Sequence, residues 1–325
     1  MGRNLHHISM ARRQPKPASL PQKLRWHLEA SAVRVLLALL RGRNHRTMVH
    51  GIRLAHQLAR PWLQQRHATA VANLQRVYGA ELSPAQRQTL AERSIDSFFL
   101  SCLESIIQPV DSALVRAEGE GLDDLLALHR QGQGVIIGSL HLGCWDLGLR
   151  WLSERIDTLS VVFRPARNPI SDRLLNRARS ANSHCGWIPQ FDAKAMFRCL
   201  RGGGSLVMMT DLYSGGSDLQ VDFLGLSTRF AKGPAALSQK SGCPLFPVAH
   251  VREADGRFRL ICGPALWPGE GDEALAAQMA ALARWHETWI QAYPEQYYWI
   301  NRRWRPGDGS GQRLRAIGPP VLRGH

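Results

Sequence analysis

The chain predicts an α/β fold: a single domain with a largely parallel or mixed central sheet covered by helices, preceded by an N-terminal helical region. Three observations carry this. From residue 134 onward, short apolar runs alternate with helix-compatible segments. Before about residue 130 the pattern is helical throughout. The first apolar run, Gly134-Val-Ile-Ile-Gly-Ser-Leu140, is glycine-bounded and ends in His141-Leu-Gly-Cys-Trp-Asp146. That places a His at a strand's end and an acid in the first turn of the helix that follows.

Taken in order, residues 1–19 form a basic arm, with Arg12-Arg13-Gln-Pro-Lys-Pro, expected to be disordered. Residues 20–60 are expected to be an interfacial helical segment. Leu20, Leu24, Trp26, Leu28, Val33, Val35, Leu36, Leu39 and Leu40 lie among Lys23, Arg25, His27 and Arg34. This is a basic amphipathic pattern suited to a membrane surface. Its longest apolar run, Val35 to Leu40, is too short for a spanning helix, which needs roughly 20 apolar residues. A signal peptide is not expected either.

The α/β unit is expected over 61–305, with a helical part at 61–130 and the sheet at 131–305. Ser83-Pro84-Ala-Gln86 predicts a helix start: Ser caps, Pro occupies the first helical position, Gln closes the box. The helix it opens carries Leu90, Ile95, Phe98, Phe99, Cys102, Leu103 and Ile106 as a core stripe. Strands are expected at Val135–Leu140, Leu159–Phe163, Ser205–Thr210, Leu219–Phe223, Leu245–His250 and Phe258–Cys262. Helices are expected at Leu147–Leu152, Pro169–Ala181, Ala193–Arg201, Pro234–Lys240 and Glu273–Ala292. Residues 306–325 read as a loose basic tail.

Charge narrows the function classes. The net charge of +15 is concentrated at the ends. Residues 1–60 hold 12 Lys plus Arg against Glu29 alone, and Arg302 onward holds six Arg against Asp308. Basic ends imply an anionic partner. No nucleic-acid motif accompanies them and no aromatics interleave the charges, so phospholipid is expected and nucleic acid is not. The six cysteines are scattered without metal-ligand spacing. Neither a metal nor a cofactor is expected.

The candidate chemistry is a general base with its orienting acid, His141 and Asp146. Spacing alone is weak, because 13 His and 26 acids give about one such pair by chance. A second pair, His250 and Asp255, spans what reads as a hairpin turned at Asp255-Gly256, so it is assigned a structural role. Other polar residues gather at expected strand ends. Arg164 and Arg167 follow the 159–163 strand, with Arg177 and Arg179 on the next helix; Lys232 precedes the 234–240 helix. These are candidates for gripping phosphate or a developing oxyanion. Asp211 and Tyr213 sit in a loop after the 205–210 strand and are possible site residues. Strand ends of this kind share one edge of a parallel sheet, where α/β sites form. A rival reading makes Cys144 a covalent nucleophile beside His141, as in a thioesterase.

A collinear series of stretches resembles the lipid A biosynthesis acyltransferases, the lauroyl and myristoyl transferases of the lysophospholipid acyltransferase superfamily. The series runs through Asn73-Leu-Gln-Arg-Val-Tyr-Gly-Ala-Glu-Leu-Ser83, His141-x4-Asp146, Phe163-Arg-Pro-Ala-Arg-Asn-Pro169, Thr210-Asp211 and Lys232-Gly-Pro-Ala-Ala-Leu. It continues with Ser241-Gly-Cys-Pro-Leu-Phe-Pro247 and Tyr293-Pro-Glu-Gln-Tyr-Tyr-Trp-Ile-Asn-Arg-Arg-Trp-Arg305. The resemblance implies an enzyme on the cytoplasmic face of a bacterial inner membrane. It would move a fatty acyl group from an acyl carrier protein thioester, or coenzyme A, to a hydroxyl of a lipid A precursor or related glycolipid. The chain departs from the family pattern in having no spanning N-terminal helix, Tyr213 where a second Asp is usual, and Asn301 where His is usual. These departures keep a lysophospholipid or aminolipid acceptor in view.

Overall fold

The structure is a computed structural model and describes residues 19–40, 45–107, 112–164, 168–170, 173, 185–212, 218–305 and 311–322. The basic arm, Arg167, Arg177, Arg179, Tyr213 and most of the helix expected at Pro169–Ala181 lie outside the described residues.

Three helices lead: α1 (Leu20–Leu40), α2 (His45–Tyr78) and α3 (Pro84–Ile107). The box at the start of α3 forms as its residues require. The Ser83 N–H donates to Gln86 Oε1 at 2.8 Å, and the Gln86 N–H donates to Ser83 Oγ at 3.3 Å. Helix α2 runs unbroken across residue 60, so the segment expected to be interfacial and the domain share one helix.

A seven-stranded sheet follows. In chain order its strands are β1 (Val115–Glu118), β2 (Val135–Ser139), β3 (Leu159–Phe163), β4 (Gly186–Pro189), β5 (Ser205–Met209), β8 (Leu245–Arg252) and β9 (Phe258–Cys262). Their spatial order is β1-β9-β8-β2-β5-β3-β4. All pairings are parallel except β8 with β9, so five strands from β8 to β4 run one way and β9 and β1 the other. A separate antiparallel hairpin pairs β6 (Asp218–Phe223) with β7 (Leu226–Ala231). Helices α4 (Leu122–Arg130), α5 (Trp145–Ser153), α6 (Ala193–Arg201), α7 (Gly233–Ser241) and α8 (Gly271–Ala292) complete the described elements.

β2 is buried at all five positions, which is why it reads as a continuous apolar run with no alternation. One set of core side chains includes Ile136, Leu206, Leu282, Phe223 and Trp299; another includes Ile137, Leu152, Val207 and Phe246. The two sets take alternate residues of β2, as period-two strands demand.

The strands and helices expected after residue 134 appear wherever they are described. Short strands β1, β4 and β7 were not anticipated. β4 is Gly-Trp-Ile-Pro at a sheet edge, and β7 is entered through Leu224-Gly225, both at positive φ. Leu in a left-handed position is costly, and here its N–H is held by buried Glu287 Oε1 at 2.8 Å. The expected loose tail is in part tied down. Gly311 and Gln312 exchange backbone hydrogen bonds with Ser227, and Arg315 pairs with Asp222 and Glu287. No described helix is long and apolar enough to cross a membrane.

Candidate active site

The site is built by two neighbouring strands. β2 and β5 are paired in register up to Ser139 and Met209. Thr210 extends the ladder by one step, its N–H and its hydroxyl both donating to the Ser139 carbonyl, at 2.8 and 3.0 Å. Two residues beyond the last pair on each strand stand His141 and Asp211. Parallel register therefore brings together two residues 70 positions apart.

They touch in two ways. His141 Nδ1 lies 2.8 Å from Asp211 Oδ1, and the His141 N–H donates to Asp211 Oδ2 at 3.1 Å. An ionised carboxylate only accepts, so the proton of this contact is carried by Nδ1. Asp211 is fully buried, while the His141 side chain keeps 18% of its surface. Burial alone would raise the Asp211 carboxyl. The neighbouring His141 charge and the two hydrogen bonds outweigh it and hold the group below the usual carboxylate range.

The turn after His141 is fixed from the other side by the chain's C-terminal element. The Tyr298 N–H donates to the His141 carbonyl at 3.1 Å, and the Gly143 N–H donates to the Gln296 carbonyl at 3.1 Å. Gln296 also clasps β8, accepting from the Arg252 N–H and donating to its carbonyl. Asn73 on α2 donates to the carbonyls of Trp299 and Asn301. The Asn73, His141 and Pro294-Glu-Gln296 stretches are thus one connected scaffold. The His141 ring is flanked by Trp145, edge-on with centroids 5.1 Å apart, and by Tyr298 at 5.6 Å.

The partner on Nδ1 was expected to be Asp146, and the contact found there is with Asp211. Asp146 does lie in the first turn of α5, as its position in the motif predicts. Its charge acts on two buried neighbours, raising the pKa of His250 against the larger effect of burial and, as a smaller contribution, that of Cys144. His250 and Asp255 take the structural places assigned to them. β8 and β9 pair antiparallel, Asp255 Oδ1 accepts from the Arg257 N–H, and Gly256 adopts φ 85.

Arg164 follows β3 directly at the same sheet edge, with an exposed side chain. Lys232 is the N-cap residue of α7, also exposed. The thiol of Cys144 is only 2% exposed, and burial pushes its pKa well up, so the thiolate that a covalent route requires is disfavoured. The Cys144-nucleophile reading therefore loses its physical basis. Two residues that sequence reasoning passed over are Tyr297, whose buried hydroxyl is raised by burial and further by Asp211, and His286. His286 reaches the Gly138 carbonyl with Nε2 at 3.1 Å beneath the site. A His inside a long helical run carries no local signal of such a role.

A family model described as bacterial lipid A biosynthesis acyltransferase matches residues 21–306. The chain is 26% identical over 253 residues to the lipid A biosynthesis palmitoleoyltransferase of Escherichia coli strain K12, covering 76% of this chain and 81% of that protein. It is 27% identical over 203 residues to the phosphatidylinositol mannoside acyltransferase of Mycolicibacterium smegmatis, covering 61% and 65%. A phosphatidylinositol mannoside acyltransferase of Mycobacterium tuberculosis is 28% identical over 191 residues, covering 57% and 58%. The chain is an acyltransferase and belongs to the bacterial lipid A biosynthesis acyltransferase family.

Proposed function

We propose that this acyltransferase moves a fatty acyl group from an acyl carrier protein thioester, with coenzyme A as the alternative donor, to a hydroxyl of a lipid A precursor or related glycolipid. The observation that carries the mechanism is the pairing of His141 Nδ1 with buried Asp211. The free lone pair on Nε2 takes the proton of the acceptor hydroxyl as its oxygen attacks the thioester carbonyl. Asp211 holds the tautomer and stabilises the imidazolium. The tetrahedral intermediate then collapses: the C–S bond breaks, the sulfur takes the proton back from His141, and the new ester leaves. Arg164, at the same edge, is the first choice to meet the oxyanion or the acceptor's phosphate. Arg167, Arg177, Arg179 and Lys232 are assigned to substrate phosphate on sequence grounds. Asp146 lies in the first turn of α5, next to Trp145, which stands beside the His141 ring.

Attachment to the cytoplasmic face of the inner membrane is assigned to α1. Its docked side carries Ala30, buried, and Trp26, whose carbonyl accepts from Asn168 Nδ2. Leu20, Leu24, Leu28, Val35 and Leu39 face outward. The basic surface also suits an acidic carrier protein. The test is transfer from labelled acyl carrier protein thioesters to lipid A precursors, lysophospholipids and total membrane lipid. A labelled lipid that requires His141, absent with His141→Ala, supports the reading. Undiminished transfer by folded His141→Ala would overturn the mechanism, and labelling of lysophospholipid alone would move the acceptor to that class.

A further inference from the structure

Leu54, Leu58 and Trp62 on α2 are 58%, 68% and 83% exposed and recur every four residues. At about 100° per residue they fall within an arc of about 80°. The buried residues of the same stretch of helix, Ile52 and His56, lie on the opposite side. The stripe is therefore unused by the protein's own core. It repeats, on a second helix, the outward stripe of α1.

Charge identifies what covers it. Residues 1–60, which hold the α1 stripe together with Leu54 and Leu58, carry 12 basic residues and one acid. Two copies meeting through such a surface would repel, whereas an anionic bilayer would be attracted. Trp62 closes the apolar run at the place where an indole prefers the boundary between acyl chains and headgroups. One turn further on stands exposed Arg66. It is near enough to act on Tyr298, whose hydroxyl burial raises and Arg66 draws back. Tyr298 in turn flanks the His141 ring. The stripe thus leads from apolar leucines through an interfacial Trp to the catalytic edge.

We propose that the exposed face of α2 from Leu54 to Trp62 is a second bilayer-docking surface, which sets the His141 site at the lipid–water boundary where the acceptor leaves an anionic membrane. This rests on the reading that the acceptor is a membrane lipid, but docking itself needs no acceptor. The experiment is sedimentation of the full chain with vesicles of phosphatidylglycerol and phosphatidylcholine, comparing wild type with Leu58→Ser/Trp62→Ser. The double variant should lose vesicle binding about tenfold or more, and transfer to acceptor held in vesicles should fall with it. Transfer to the same acceptor dispersed in detergent should stay within about twofold, which a folding defect would not allow. Wild-type sedimentation by the variant would overturn the proposal. So would an unchanged vesicle affinity accompanied by conversion of a dimer to a monomer, which would make the face a protein interface. Vesicle binding that needs this stripe, with no transfer to any lipid, would instead count against the proposed substrates and leave docking standing.

Discussion

Arg252 on β8 and Glu104 on α3 form a two-point ion pair, with contacts of 2.8 and 2.5 Å and both side chains almost wholly buried. The same guanidinium donates to the hydroxyls of Ser97 and Ser101, and Ser101 donates to the Gly143 carbonyl at 2.6 Å. The pair therefore fastens α3 to the sheet beside the turn that carries His141. Removing one partner strands a buried charge, which costs about 3–5 kcal/mol. Glu104→Gln should lower stability by that order in chemical denaturation. Glu104→Leu/Arg252→Met, which strands no charge, should recover most of it. A double variant as unstable as the single one would show that the pair contributes attraction and not only mutual compensation.

The second expectation concerns which acid holds the His141 ring. Asp211→Asn presents an amide that can donate to Nδ1 and favour the wrong tautomer, so kcat should fall about 10³-fold or more with the fold intact. In proton NMR, the downfield Nδ1–H resonance of His141 should vanish in Asp211→Asn and survive in Asp146→Asn. Survival in the first and loss in the second would return the role to Asp146.

That exchange of partners marks the limit of what was legible in the sequence. His141, its strand and the helix after it are local, and glycines and apolar runs announce them. Asp211 was visible only as an acid at a strand end. Its meeting with His141 depends on β2 and β5 being neighbours in the sheet, a choice of strand order that no local pattern encodes. Arg252 and Glu104 lie 148 residues apart and read separately as a strand residue and a helix residue. β7 was missed because its turn uses Leu224-Gly225 in place of an Asn-Gly or Asp-Gly pair, and a buried carboxylate compensates. The ordered stretch after Gly311 was missed because Gly and Arg content reports on composition and not on hydrogen bonds with β7.

Two buried histidines predict an acid limb in stability. Burial lowers both His250 and His286 from 6.5 to about 4, with Asp146 and Asp211 respectively opposing the shift. Between those values the unfolded chain binds protons that the folded chain refuses, so stability falls as pH drops from about 6.5 towards about 4. At about 1.4 kcal/mol per pH unit the loss is of order 3 kcal/mol for each residue. Denaturation midpoints at pH 7.5, 6 and 5 should show the slope, and His250→Gln should flatten it. An identical slope in that variant would assign the acid limb to other groups.

Gly148 on α5 provides a sharper test of how the helix is seated. A Cβ built there would lie 1.9 Å from Nδ1 of His250, which is walled in on β8. Gly148→Ala must therefore push α5 away from the sheet or displace the imidazole, and overpacking of this kind costs about 1–3 kcal/mol. α5 begins at Trp145, which stands against the His141 ring. Displacement of the helix should consequently reduce kcat as well as the denaturation midpoint. Shortening the obstructing side chain separates the two effects. His250→Ala/Gly148→Ala should regain activity relative to Gly148→Ala alone, because the methyl group then has somewhere to go. If the double variant is no more active than the single one, α5 is not seated through this contact and the loss arises within the helix itself.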